Sequence, residues 1–381
     1  MEARCDGCLE ARPKHNHYFI DYNIRRCLFP TTEKMFLSLL AVSSSFVSVL
    51  GAPKEAPWAT QAQNIQLPVH NITRYDGIKF ENLAVRSNGQ ILTTSTLPNA
   101  SVYQVDPLGI VPLTRIYEIE GVNVTGTAGI AEGKPDIFYV VSGFLGIKTP
   151  KTTVPESYTV TELDVSGLSI SPNGTMTRTP VAKTVARIPG AALLNGAAMA
   201  GRESDHLLVA DSFRGLIWNV NIRNGTVGVT LNDTTTKGPV LTGMNFTGIN
   251  GIQVQNGTMY WTNTGAASLF KVPIDEFGNV CQGQTPSLVA SDLSCDDLGV
   301  DSDGTAYVAG VSDILTKVSP DGTKQIIAGI FNSSSSALIA PTSARFGRLS
   351  SDRHSLYVTT NGGMPPNNVS ADAGVSRIDL C

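Results

Sequence analysis

The feature that most constrains this chain is a unit that recurs six times. Its clearest copy spans residues 248–274. Residues 251–255 read as a short inner strand, and Asn256-Gly257 as a tight turn whose residues tolerate positive φ. Residues 258–262 are β-branched and aromatic, a second strand, and a small polar loop leads to a third at 269–274. One polar side chain, Asn250, stands at the mouth of the apolar inner strand.

Inner strands of the other copies are expected at 80–85, 127–131, 195–199, 297–301 and 341–346. Six spaced β-units predict an all-β fold, a six-bladed β-propeller of four-stranded antiparallel blades. The sixth unit runs out of chain after three strands. An orphan strand at 65–72 is the natural fourth, closing the ring and removing an open sheet edge. A β-sandwich or β-helix accounts for neither the six units nor the orphan strand.

The chain ahead of the ring has a different character. Residues 35–52 carry a short apolar run ending in small residues, with Arg25-Arg26 and Lys34 as a positive flank. This pattern predicts a secretory signal peptide cleaved near Gly51 or Ala52, too short for a stable membrane span. Residues 1–34 hold Cys5, Cys8, Cys27, His15 and His17, but no second ligand pair completes a zinc site. They are expected to be an extension upstream of a natural start at Met35. Residues 53–61 form a lead-in, and the propeller occupies 62–381.

A secreted or secretory-pathway glycoprotein follows from the sequons at Asn71, Asn99, Asn123, Asn173, Asn224, Asn232, Asn245, Asn256, Asn332 and Asn368. In an oxidising compartment Cys281 and Cys295 are candidates for a disulfide, leaving Cys381 over. With 28 basic and 32 acidic side chains, the net charge of −4 offers no basic stripe for nucleic acid.

In a propeller the starts of the inner strands converge on one axis. Here they carry Glu81, the Gly126-Thr127 step, Asn195, Asn250, Asp297 and Thr342. Two carboxylates and two amides form an all-oxygen cage, suited to a hard cation and to Ca²⁺ above Mg²⁺.

These contexts, Glu81-Asn-Leu-Ala-Val, Asn195-Gly-Ala, Ile249-Asn-Gly-Ile and Cys295-Asp-Asp-Leu-Gly-Val-Asp, resemble the SMP-30/gluconolactonase family over residues 62–380. Arg345-Phe-Gly-Arg and Leu356-Tyr-Val-Thr-Thr resemble its last blade. The resemblance implies one Ca²⁺ held by Glu81, Asn195, Asn250 and Asp297, and no organic cofactor. The chain departs from the family in Asn82-Leu83, where Gly-Pro is usual, and in the long insertion at 146–157.

The signal segment, the sequons, Leu207-Leu-Val-Ala-Asp-Ser212, Tyr260-Trp-Thr-Asn-Thr264 and Tyr357-Val-Thr-Thr-Asn-Gly-Gly363 look like a fungal secretory branch of that fold. That branch includes hetero-Diels–Alderases of meroterpenoid secondary metabolism, which join a tropolone-derived o-quinone methide to the sesquiterpene humulene. The resemblance therefore implies a pericyclase with apolar small-molecule substrates. Pocket walls are expected from Phe213, Arg214, Trp261, Asn263 and the loop from Met364 to Asn368. Beyond the lead-in only His70, His206 and His354 occur, none at an inner-strand start, and no Gly-x-Ser-x-Gly elbow is present. A calcium-dependent lactonase or ester hydrolase and a non-catalytic binding propeller remain as alternatives.

Overall fold

The computed structural model describes residues 66–145, 154, 157–241, 244–245, 247–363 and 371–380. The expected signal segment, the residues before it, Met364, Asn368, Cys381 and nearly all of the 146–157 insertion lie outside them.

Six four-stranded antiparallel sheets stand around an axis, each running from an inner to an outer strand. The inner strands are Lys79–Val85, Gly126–Glu132, Leu194–Met199, Ile249–Gln255, Leu298–Val300 and Pro341–Phe346. The periodicity of two explains the packing: alternate side chains of one blade enter the cores it shares with its two neighbours. In blade three, Ala197 and Met199 pack with Val141 and Val160 of blade two, while Ala198 and Ala200 pack with Ile252 and Met259 of blade four. Arg86 is buried in the seam between blades one and two. Its guanidinium meets Asp136 at 2.9 and 3.0 Å and donates to Gln104 and the Leu168 carbonyl.

The last blade contains both ends of the ring. His70–Tyr75 pairs with Ala373–Asp379, His70 opposite Arg377 and Tyr75 opposite Ala373. The closing strand thus lies downstream of the expected 65–72. Pro68 lacks an amide hydrogen and interrupts pairing there. Leu67 instead donates its N–H to the Ile327 carbonyl of blade five at 2.7 Å, and Leu67 and Val69 pack on the core between blades five and six.

The outer strands Val181–Arg187, Val227–Leu231 and Ser287–Ala290 are largely exposed or half-buried, which leaves their sequences without a clear alternation. Between blades three and four the chain adds a 3-10 turn, Thr234–Thr236, and a small hairpin of Val240–Leu241 with Met244–Asn245. Among the described residues no helix is long and apolar enough to cross a membrane.

Cys281 and Cys295 do not form the expected disulfide. The Ser268 end of Ser268–Pro273 lies beside Cys295, whose Sγ approaches the Asn263 and Ser268 carbonyls; the Pro273 carbonyl at the other end accepts from the Cys281 amide. A strand of that length separates them by roughly 16 Å, against the ~4.4–6.8 Å between Cα atoms that a disulfide requires. Cys295 is a buried free thiol, pushed by that burial up to about 12.

Candidate functional site

Neighbouring inner strands come very close to one another where they begin. A Cβ added at Gly196 would lie 2.7 Å from the Asn250 carbonyl oxygen, and one at Gly251 would lie 2.2 Å from Asp297 Oδ1. Both are closer than real Cβ contacts come, so Gly must follow each Asn. The Asn-Gly pairs at 195–196 and 250–251 are therefore one device: glycine admits the next blade, and asparagine stands at the mouth.

Around that mouth are Glu81, Asn195, Asn250, Asp296 and Asp297. Asn250 is buried and donates through Nδ2 to Thr264 Oγ1 at 3.0 Å, but its Oδ1 has no hydrogen-bond partner. Such an orphaned acceptor is expensive unless a ligand or cation completes it. Asn195 is half-buried and donates to Ser212 Oγ at 3.3 Å. Burial first, and then the charge of Asp297, push the Glu81 carboxyl up to about 7. Burial, then the charges of Glu81 and Asp297, hold Asp296 well above the usual carboxylate range against a hydrogen bond from Asn250.

Asp297 has a different situation from its neighbour. Its Oδ2 meets Arg345 Nη2 at 3.1 Å and accepts from Asn82 Nδ2, and its Oδ1 accepts from the Leu298 amide. Arg345 also donates to the Leu298 carbonyl at 2.7 Å and to Asn82 Oδ1 at 3.1 Å, and Ser343 donates to that same Oδ1 at 3.0 Å. Asn82, Asp297 and Ser343 are buried. With Gly251 against Asp297, these groups from blades one, five and six reach blade four and form a polar bar along that side of the channel.

The remaining candidates separate. Trp261 is completely buried, stacked on Phe270 in the core between blades three and four. Asn263, also fully buried, donates to the Thr235 and Lys237 carbonyls at 2.8 Å and so clamps the inter-blade connection. Neither is a pocket wall: an aromatic second strand packs between blades, where the sequence pattern alone suggested exposure at its end. Phe213 is half-buried and Arg214 exposed, the latter donating to the Gly190 carbonyl at 2.9 Å, both on the loop beside the inner-strand starts. Thr127 and Thr342 hydrogen-bond to neighbouring strands and serve the blades, not the axis. Sequence reasoning missed Asp296 and Arg345 as a pair with opposite consequences for the two adjacent aspartates.

Asp297, expected as a calcium ligand, has its oxygens taken by Arg345, Asn82 and the Leu298 amide, and Asp296 is the carboxyl beside Glu81 and Asn250 instead. The donor set of Glu81, Asp296, Asn195 and Asn250, two carboxyls and two amides with one orphaned amide oxygen, fits a calcium ion. Among the described residues no three His, Cys, Asp or Glu side chains stand together at metal-ligand spacing, so the amides are indispensable to any such site. His206 Nδ1 is hydrogen-bonded to Asn219 at 2.8 Å, and His70 and His354 are exposed.

No protein-family model matches the chain. A Phoma sp. protein named "Putative hetero-Diels-Alderase" is 29% identical over 347 residues, covering 84% of this chain and 94% of the relative. One of the same designation from Sarocladium schorii is 28% identical, covering 88% and 92%. Among solved structures, a luciferin-regenerating enzyme superposes with a TM-score of 0.56 at 13% identity, covering 82% of this chain and 95% of that one. A calcium-binding regucalcin of Agrobacterium tumefaciens gives 0.54 at 12%, covering 83% and 95%. A gluconolactonase of Xanthomonas campestris gives 0.51 at 12%, covering 83% and 91%. The chain is a six-bladed propeller of the gluconolactonase-like form and a relative, over most of its length, of the two fungal proteins that carry the hetero-Diels–Alderase name.

Proposed function

We propose that this protein is a hetero-Diels–Alderase, an enzyme that joins a tropolone-type o-quinone methide to a sesquiterpene such as humulene. One observation carries the reading: the chain matches proteins of that name over nearly their whole length. The reaction forms one C–C and one C–O bond from three π pairs, with no net proton transfer and no leaving group. Little acid–base machinery is required. Holding both reactants in a reactive pose can supply about 7–11 kcal/mol.

The chain's own groups have two tasks. A carboxyl with its proton retained near neutrality, as at Glu81, donates to the heterodiene carbonyl oxygen and draws charge from it as the new C–O bond forms. Asn195, whose Nδ2 donates to Ser212, keeps a second amide hydrogen with which to orient that oxygen. Asn250 has its amide hydrogens engaged by Thr264 and Asp296, so its free Oδ1 can only accept, from a donor or a cation at the mouth. Glu81, Asn195, Asn250 and Asp296 would hold Ca²⁺ when bound, which would supply the same polarisation as a Lewis acid. The secretory route and glycosylation belong to the same proposal; the eight sequon asparagines with described side chains are all exposed.

The test is to mix purified protein with an o-quinone methide precursor and humulene and measure adduct yield and enantiomeric excess beside the spontaneous reaction. Enantiomeric excess should rise above background and fall in Glu81→Gln and Asn250→Ala. Background-level excess, together with chelator-sensitive hydrolysis of simple lactones, would replace this reading with the calcium-dependent lactonase.

A further inference from the structure

Below the bar of Asn82, Asp297, Ser343 and Arg345 the channel opens again. A cavity of about 830 Å³ occupies its lower half and is reached by all six inner strands. It exists because these strands carry small or short side chains there, among them Ala84, Ala131, Ala198 and Gly299. Its mouth lies among the turns that follow the inner strands, on the face opposite Glu81 and Asn250. Arg345 of the bar is part of its lining.

The chemistry of this chamber differs from that of the site above. Val254, Val300 and Phe346 give it half-buried apolar walls. Charge is confined to Arg345, whose head is taken by Asp297, and to the mouth. Of the carboxylates at the mouth, Glu132 is ion-paired with Arg348. Lys134 and Arg202, on the neighbouring turns of blades two and three, are exposed and have no side-chain partner among the described residues; Glu203 offsets one of them. Gln253 on the wall likewise has an unpartnered side-chain amide. The volume is that of a small-molecule site, ~300–1,000 Å³, rather than of a water file.

We propose that this lower chamber is a second binding site, for a small amphipathic organic acid. The apolar body enters between the inner strands, and the anionic group stays at the mouth beside Lys134 and Arg202. A hydrated inorganic anion would leave the apolar walls unused, and a neutral hydrocarbon would leave the two cations unused. The assignment is independent of what is catalysed above the bar.

Two probes that share a ring system separate the contributions: 8-anilinonaphthalene-1-sulfonate, which is anionic, and N-phenyl-1-naphthylamine, which is neutral. Fluorescence titration of the full chain should show saturable binding of both at one site. Lys134→Gln with Arg202→Gln should weaken the anion about tenfold, as two partly screened charges of this size allow, and leave the neutral probe unchanged. Gln253→Trp should abolish both while the cycloaddition product ratio stays as in the native protein. Absence of binding, or equal loss of both probes in the charge variant, overturns the proposal. So does anion binding that survives both variants. If Gln253→Trp fails to fold, the charge variant still decides, because its two side chains are exposed.

Discussion

The bar across the channel makes a strong prediction about Arg345→Met. The arginine side chain is 14% exposed and Asp297 2%. The variant keeps most of the apolar stem but leaves a buried carboxylate without its counter-charge, retaining Asn82 Nδ2, the Leu298 amide and Ser343 as polar neighbours. Breaking such a pair from one side costs about 3–5 kcal/mol, because the remaining charge is desolvated and unpaired. At about 2 °C per kcal/mol for a domain of this size, the melting temperature should fall by roughly 6–10 °C. Removing both charges, as in Arg345→Met with Asp297→Leu, should recover most of the loss, since an apolar pair of similar volume is often neutral. Calorimetry of the three proteins at neutral pH measures this directly. A single variant that melts within about 2 °C of the native protein would refute the argument, and so would a double variant no better than the single one.

Other consequences can be checked alongside it. Trp261→Ala should destabilise by about 3–5 kcal/mol in urea unfolding, yet leave product enantiomeric excess unchanged, because the indole is inter-blade core. Gly251→Ala forces a Cβ to within 2.5 Å of Asp297 Cα and should cost about 1–3 kcal/mol or more, whereas Gly228→Ala meets nothing within 4 Å and should change little. Asp106 is affected most by its own burial, which raises its pKa, but hydrogen bonds from Val111, Gln90, Leu108 and Ile110 prevail and hold it below the usual carboxylate range. Its folded value is lower than its unfolded one, so its stabilisation is complete above the unfolded value and disappears as pH falls through the folded one. Melting curves of the native protein and Asp106→Asn should therefore differ at neutral pH and converge in acid.

Much of the ring was legible because its constraints are local. An inner strand needs a polar mouth, a glycine for close approach and a turn that accepts positive φ; Asn250-Gly251 and Asn256-Gly257 state all three within eight residues. The axis was less legible. Asp296 and Asp297 are adjacent, and which of them faces Glu81 without an ion pair depends on Arg345 of the next blade and on Asn82, brought to Asp297 only by closure of the ring. Sequence order contains no trace of that choice. Trp261 misled for a related reason. Its strand pattern locates it correctly, but a blade interior has two buried faces, so an aromatic near the upper edge need not reach the pocket. The disulfide expectation failed on length: fourteen positions separate Cys281 from Cys295, yet the chain between them spends those residues returning along a whole strand.

The pairing of His70–Tyr75 with Ala373–Asp379 also fixes an order of events during synthesis. Among the described strands the first to leave the ribosome is the last to find its neighbour, because that neighbour belongs to the last blade of the ring. Five blades can assemble as they emerge, each from consecutive sequence, while the opening strand waits with its edge unsatisfied. Its sequence, His-Asn-Ile-Thr-Arg-Tyr, is mostly polar and suits that wait, having little apolar surface with which to recruit a wrong partner. Loss of His70–Tyr75 or of Ala373–Asp379 would then be equivalent: each leaves a ring that folds nearly to completion and cannot be latched.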